Sequence, residues 1–237
     1  MNQTKGKHIS EQYDLELDTV RNKVLSMGGI VENQLSDALK ALNNQDLEMA
    51  EQVLSNDSKV NALELEIDNA CNRIIAKRQP TARDLRTVVT TLKTISDLER
   101  IGDEVKRLAR TAKERYNSEQ QHLLVSLENL GQLVVTMLHQ ALDAYARMDA
   151  DSAIEVHQLD KNIDRQYEAM LRQLMTYMME DPRSIPKIMD VVFSARSLER
   201  IGDRCQNIAE YIIFNVHGKD VRHASQEDMQ KAVTSRD

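Results

Sequence analysis

An all-α fold, two tandem pseudo-symmetric three-helix bundles built from six long helices, is predicted by three observations. The hexapeptide LERIGD occurs twice, at Leu98 to Asp103 and again at Leu198 to Asp203, and identical segments at a fixed offset signal internal duplication. Apolar residues recur at helical spacing over stretches of about 30 residues. Only seven Gly and three Pro punctuate 237 residues, so few points can break a helix.

Taken in order, a polar segment over residues 1–10 precedes a first repeat over 11–117. Its first helix, from about Glu11 to Asn43, carries Leu17, Val20, Val24, Met27, Val31, Leu35, Ala38 and Leu42 on one stripe. Gly28 and Gly29 mark close packing or mild weakness within it. Asn43 and Asn44 supply a turn, and Asp46 is a suitable N-cap for a second helix reaching about Arg78. Gln79 and Pro80 end that helix, and Thr81 with Asp84 fits a capping box for the third. The third helix carries the first LERIGD and fades near Tyr116.

The pattern then restarts in a second repeat over residues 118–218. Gly28, Asp46 and Asp57 match Gly131, Asp149 and Asp160 at an offset of 103, and the hexapeptides match at an offset of 100. The fourth helix is expected from about Glu119 to Arg147 and the fifth from Asp149 to Glu180. Asp181, Pro182, Ser184 and Pro186 form the break before the sixth, which Gly218 closes. Residues 219–237 read as a polar tail with partial disorder. Among eleven methionines, Met175, Met178 and Met179 read more readily as core filler than as an adaptable surface.

The candidate site is acidic. Each LERIGD places a Glu and an Asp four residues apart, Glu99 with Asp103 and Glu199 with Asp203, on one helix face. The first carboxylate of each pair interrupts the apolar stripe and the second lies on its edge. The second helices add Asp57 in the first repeat and Asp160 with Asp164 in the second, where Asn61 stands opposite Asp164. Carboxylates removed from water need a cation, a basic partner or protonation. An all-oxygen set suits hard cations such as Mg, Ca or Mn and can also take iron; the alternative partners are Arg100, Arg196, Arg200 and Arg204.

Other classes find little support. The net charge of -7, without a basic stripe, opposes nucleic-acid binding. Cys71 and Cys205 lie in helical patterns outside any CxxC and read as reduced core thiols. No apolar run approaches the ~18 residues that span a bilayer, and Met1 to Ser10 lacks the core of a signal peptide, so a cytoplasmic location is expected. A di-iron centre would call for two Glu-x-x-His elements, and the one such spacing is Glu119 with His122. No phosphate loop, GxSxG or HExxH supplies a nucleophile or base.

LERIGD in both third helices, MGGIVENQLSDAL from Met27 to Leu39, IIAKRQPTARDLR from Ile74 to Arg86 and MTYMMEDPRSIP from Met175 to Pro186 together resemble the PhoU family, accessory proteins of phosphate-specific transport. The resemblance implies a cytoplasmic, non-enzymatic negative regulator of phosphate uptake and the phosphate regulon. It implies a homodimer acting between the ATPase subunit of the phosphate transporter and a sensor histidine kinase, meeting the membrane only through those partners. No cofactor is required, but some family members carry metal clusters on E/DxxxD motifs. Those positions match Glu99, Asp103, Glu199, Asp203, Asp160 and Asp164, with Asn61 departing from the pattern beside Asp57. Two rival readings are a hydrolase using a carboxylate-bridged metal pair and a purely structural bundle.

Overall fold

The structure, a computed structural model, describes residues 3–114, 121–222 and 224–234. The described residues form helices α1 (Gln3–Asn44), α2 (Leu47–Arg78), α3 (Ala82–Thr111), α4 (Gln121–Arg147), α5 (Ala150–Glu180), α6 (Ile185–His217) and α7 (Gln226–Thr234), with a 3-10 turn at Pro182–Ser184. The all-α, duplicated architecture is as the sequence predicts. Helices α1, α2 and α3 pack on one another, as do α4, α5 and α6. The third helix's expected end near Tyr116 and the fourth's start at Glu119 lie outside the described residues, as do Glu119 and the side chain of His122.

Local chemistry explains most boundaries. Asp46 accepts from the Met49 N–H at 3.0 Å, and Asp149 accepts from Asp151 and Ser152. Both caps follow a residue in the left-handed region, Gln45 and Met148, at equivalent positions of the two repeats. Gly218 adopts φ 71°, and its N–H returns to the Phe214 carbonyl at 2.8 Å, the αL helix ending that glycine permits.

Several expectations are corrected. Helix α1 begins at Gln3, well before the start near Glu11 inferred from the apolar stripe; no Pro precedes Glu11, so the backbone continues helically where the stripe fades. Thr81 is the N-cap of α3 but makes no side-chain cap bond; the Asp84 N–H instead meets the Thr81 carbonyl at 3.1 Å. The C-terminal segment is not simply a tail. Ser225 accepts from the Asp228 N–H at 3.2 Å and donates to the Asp228 carboxylate at 2.6 Å, starting α7, whose Met229 is buried against the core. Met175 and Met179 are exposed rather than core, while Met178 is partly buried.

The repeats lie side by side, joined through α3 against α6 and α1 against α4. Contacts across both pairs come in exchanged couples, which indicates an approximate twofold axis between the repeats. In α1 and α4, a Cβ added at Gly28 would meet Leu142 Cδ2 at 2.4 Å, and one added at Gly131 would meet Leu39 Cδ2 at 2.5 Å. These glycines admit a leucine from the opposing helix, so duplicated Gly and Leu form two copies of one close contact. Gly29 has nothing within 4 Å, so the packing role belongs to Gly28 alone.

Gly28→Ala should cost about 1–3 kcal/mol from overpacking, partly offset by roughly 1 kcal/mol of helix propensity. Denaturant midpoints of Gly28→Ala, Leu142→Ala and the double variant test this: the double variant should be more stable than the sum of the single effects implies. Strict additivity would show that the two side chains do not meet.

Candidate functional site

The duplicated hexapeptides meet each other. At the α3–α6 contact Asp97 is 3.5 Å from Arg204, while Ser197 donates to Glu104 at 2.8 Å. Residues 97 and 197 are equivalent, as are 104 and 204, so these are the exchanged couples of one antiparallel crossing centred on the two motifs. Asp97 is nearly fully buried and also accepts from Tyr211 at 2.9 Å. Glu104 is held by Arg107 at 2.8 and 2.9 Å and by Arg200 at 3.3 Å. Burial still drives the Asp97 carboxyl upward, against the lowering effect of Tyr211 and Arg204. Most of the arginines expected beside the motif carboxylates therefore serve Asp97 and Glu104, and Arg196, 2.5 Å from Glu199, is the exception.

Each third helix also receives the acidic residues of its neighbouring second helix. The antiparallel registers of α2 with α3 and α5 with α6 bring Asp57 to Gly102 and Asp160 to Gly202. A Cβ at Gly202 would lie 3.2 Å from Asp160 Oδ1 and 3.4 Å from Ile163, and one at Gly102 would lie 3.8 Å from Asp57 Oδ1. The glycine inside LERIGD thus leaves room for an aspartate from the adjoining helix. The register that sequence spacing left undetermined is fixed by this packing.

The two acidic sites then diverge. In the first, Lys106 spans the helices, 2.6 Å from Asp103 and 2.8 Å from Asp57. Asn61 donates to Asp57 at 3.3 Å and leaves its own buried carbonyl oxygen unpartnered. Burial, with Asp103 and Glu64 nearby, raises the Glu99 carboxyl, and Lys106 opposes that rise. Burial pulls the Lys106 ammonium down, but its bonds to Asp103 and Asp57 outweigh this and hold it above the ordinary lysine value.

In the second site, the position of Lys106 is taken by Gln206, which pairs with His157 at 2.9 Å. Asp160 is 6% exposed and its Oδ1 has no hydrogen-bond partner; Glu199 Oε2 is likewise buried and unpartnered. Burial, reinforced by Asp164, Asp203, Glu199 and Glu210, pushes Asp160 up to about 7. Burial and Asp203 raise Glu199, and burial and Asp164 raise Asp203. The structure therefore brings Asp160, Asp164, Glu199 and Asp203 into one field of mutual repulsion.

The donor set fits a hard cation in chemistry: four carboxylates from two helices, with orphaned acceptors on Asp160 and Glu199. As placed, the side chains do not form a closed shell, and among the described residues no three His, Cys, Asp or Glu groups stand in ligating arrangement. Cys71 and Cys205 are buried free thiols, the first pushed up to about 11 by burial and the second raised further. His139 is exposed and 2.8 Å from Glu32. Sequence reading missed Asp97, Glu104 and Lys106. Their signal was available: Lys106 stands three residues after Asp103, and Glu104 has its sign reversed at Arg204.

These features define a duplicated helical-bundle protein with one acidic site per repeat and a charged crossing between repeats. The PhoU domain model matches residues 24–112 and 127–212. The chain belongs to the PhoU domain family. It is 56% identical over 232 residues to the phosphate-specific transport system accessory protein PhoU of Serratia marcescens, covering 98% of this chain and 96% of that one. Identity to the protein of the same name from Escherichia coli K12 is 53% over 232 residues, with the same coverage. The crystal structure of PhoU from Pseudomonas aeruginosa superposes with a TM-score of 0.82 at 45% identity, covering 87% of this chain and 100% of that one. PhoU from Streptococcus pneumoniae, the phosphate transport system regulatory protein, gives 0.79 at 31% identity, covering 88% and 99%.

A carboxyl raised in the fold favours folding where it is protonated. Its contribution is full below the unfolded value near 4 and is lost as pH rises toward 7. In metal-free protein, Asp160→Asn should therefore raise the melting temperature at pH 8 and lose that advantage as pH falls toward 4; a gain independent of pH would contradict the Asp160 environment. Gly202→Ala should destabilise more than Gly102→Ala in denaturant titration, given the closer aspartate oxygen at Gly202.

Proposed function

We propose that this chain is a cytoplasmic, non-enzymatic negative regulator of phosphate uptake and of the phosphate regulon. In this reading it works as a homodimeric adaptor between the ATPase subunit of a phosphate transporter and a sensor histidine kinase, and it reaches the membrane only through them. The observation that carries the reading is 56% identity along 98% of the chain to a phosphate-specific transport system accessory protein. No described helix is long and apolar enough to cross a membrane, which agrees with action through partners.

The acidic sites supply the regulatory chemistry in this proposal. Asp160, Asp164, Glu199 and Asp203 would hold a divalent cation or iron, which supplies positive charge where Asp160 and Glu199 are buried without a partner. The four carboxylates come from α5 and α6, so their mutual repulsion bears on the contact between those helices. Charge balance there biases the surface offered to partners.

Expression in an Escherichia coli strain lacking its own PhoU tests the proposal. The wild-type chain should restore repression of a phosphate-starvation reporter in phosphate-rich medium, and a folded Glu99→Ala, Glu199→Ala variant should lose it. Normal repression by that variant would remove the acidic sites from signalling, while failure of the wild type itself would overturn the adaptor reading.

A further inference from the structure

At the end of the molecule where the start of α3 meets the ends of α4 and α6, a cavity of about 180 Å³ is lined by Arg21, Arg83, Thr87, Thr91, Tyr145 and Asn215 among apolar side chains, with the exposed Asp18 beside them. Three of these polar side chains belong to the interior: Tyr145 is 3% exposed, Thr91 4% and Asn215 6%. Interior polar groups are costly unless something answers them, and the other repeat shows that the fold does not need them. At the duplicated positions Leu124 stands for Arg21, Val191 for Thr91 and Leu42 for Tyr145, and all three are buried in the core. We propose that this cavity binds a small oxyanion, either free phosphate or a short organic acid.

The lining holds more donors than acceptors. The Tyr145 and Thr91 hydroxyls share one long contact of 3.4 Å, in which only one of them donates. Asn215 spends its carbonyl oxygen on the Thr87 hydroxyl at 3.0 Å, and its amide reaches only the Met148 sulfur at 3.4 Å, a weak acceptor. Arg21 donates to the Ala146 carbonyl and keeps further N–H groups on its guanidinium. The Arg83 guanidinium makes no hydrogen bond or ion pair among the described residues. Two positive charges thus line the cavity against the single carboxylate of Asp18. Spare donors and spare positive charge suit a ligand made of acceptors, and bonds from arginine to a charged oxygen are among the stronger ones. Size narrows the class further. Sites for drug-sized ligands begin at about 300 Å³, so a cavity of about 180 Å³ takes a phosphate ion or a short dicarboxylate and is too small for a nucleotide.

The bound anion touches both repeats. Arg21 lies on α1 and Arg83 and Thr91 on α3, whereas Tyr145 lies on α4 and Asn215 on α6. These are the four helices that join the repeats, so occupancy adds to that junction and stabilises the folded chain. The inference stands apart from the adaptor reading, which needs no bound anion, and the cavity shares no residue with either acidic site.

The experiment uses the full chain, dialysed free of phosphate and titrated separately with inorganic phosphate and with succinate at constant ionic strength. Calorimetry measures binding, thermal melting measures stability and circular dichroism checks folding. Wild type should bind about one equivalent per chain of at least one probe and melt at a higher temperature with it. The double variant Thr91→Val, Tyr145→Phe removes the interior hydroxyls at nearly constant volume, and Arg83→Gln removes an exposed charge that packs no core. Each should bind the preferred probe at least tenfold more weakly, the loss expected for a bond to a charged group. Arg172→Gln, an exposed arginine on α5 outside the cavity, should bind as wild type does. Tighter binding of phosphate assigns the site to the free inorganic ion, and tighter binding of succinate assigns it to an organic acid; either supports the proposal. Saturable binding of neither probe at millimolar concentration overturns it, leaving a cavity filled by water. Wild-type affinity in a folded Arg83→Gln variant also overturns it, as does an equal loss in Arg172→Gln, which would reduce the effect to net charge.

Discussion

The packing of α3 against α6 is the contact on which the rest of the molecule depends. One continuous buried core runs through both repeats, and the two LERIGD segments cross in the middle of the most extensive helix contact among the described residues. There Asp97 and Glu104 from one repeat meet Arg204, Ser197 and Arg200 from the other. A buried charge that loses its partner is strongly destabilising, so these couples hold the crossing in register. The same helices carry Glu99, Asp103, Glu199 and Asp203 on adjoining surface, so setting the crossing also sets both acidic sites. Fold and site share one segment of sequence.

Within each repeat, a second constraint acts on that segment. The motif must present carboxylates yet also let an aspartate of the adjoining helix approach the backbone, which its glycine permits. Taking carboxylates out of water demands an answering charge, and the duplicated sites give different answers. Lys106 supplies it in the first repeat, between Asp103 and Asp57; in the second, Arg196 supplies it to Glu199, and Asp160 Oδ1 is left without a partner. An ancestral symmetry of shape is kept, as the Gly28–Leu142 and Gly131–Leu39 contacts demonstrate, while symmetry of charge is not.

Much of this was legible in the sequence. The duplicated hexapeptide, the apolar stripe on α1 and the caps at Asp46 and Gly218 are local signals that depend on a few neighbouring residues. The acidic positions were legible as a set because a carboxylate inside an apolar stripe is physically costly. Which residues answered them was not, because that depends on helix register. Arg200 and Arg204 look like neighbours of Glu199 and Asp203 along the chain, yet they reach across the repeat boundary to Glu104 and Asp97. Lys106 looked like an ordinary helix-surface lysine until α2 was placed beside it. Helix α7 was overlooked because attention to the polar character of residues 219–237 hid a short capping sequence at Ser225 and Asp228 and the apolar spacing of Met229, Ala232 and Val233.

The central claim is that the two repeats neutralise equivalent acidic sites by different means. A crystal structure of the chelator-treated chain tests it most directly, because it locates the partners of each carboxylate without disturbing either site. The Lys106 ammonium should join Asp57 to Asp103, while in the second repeat Arg196 holds Glu199 and Gln206 turns to His157, away from Asp160. A Lys106 directed into solvent, or Gln206 bonded to Asp160, would contradict it.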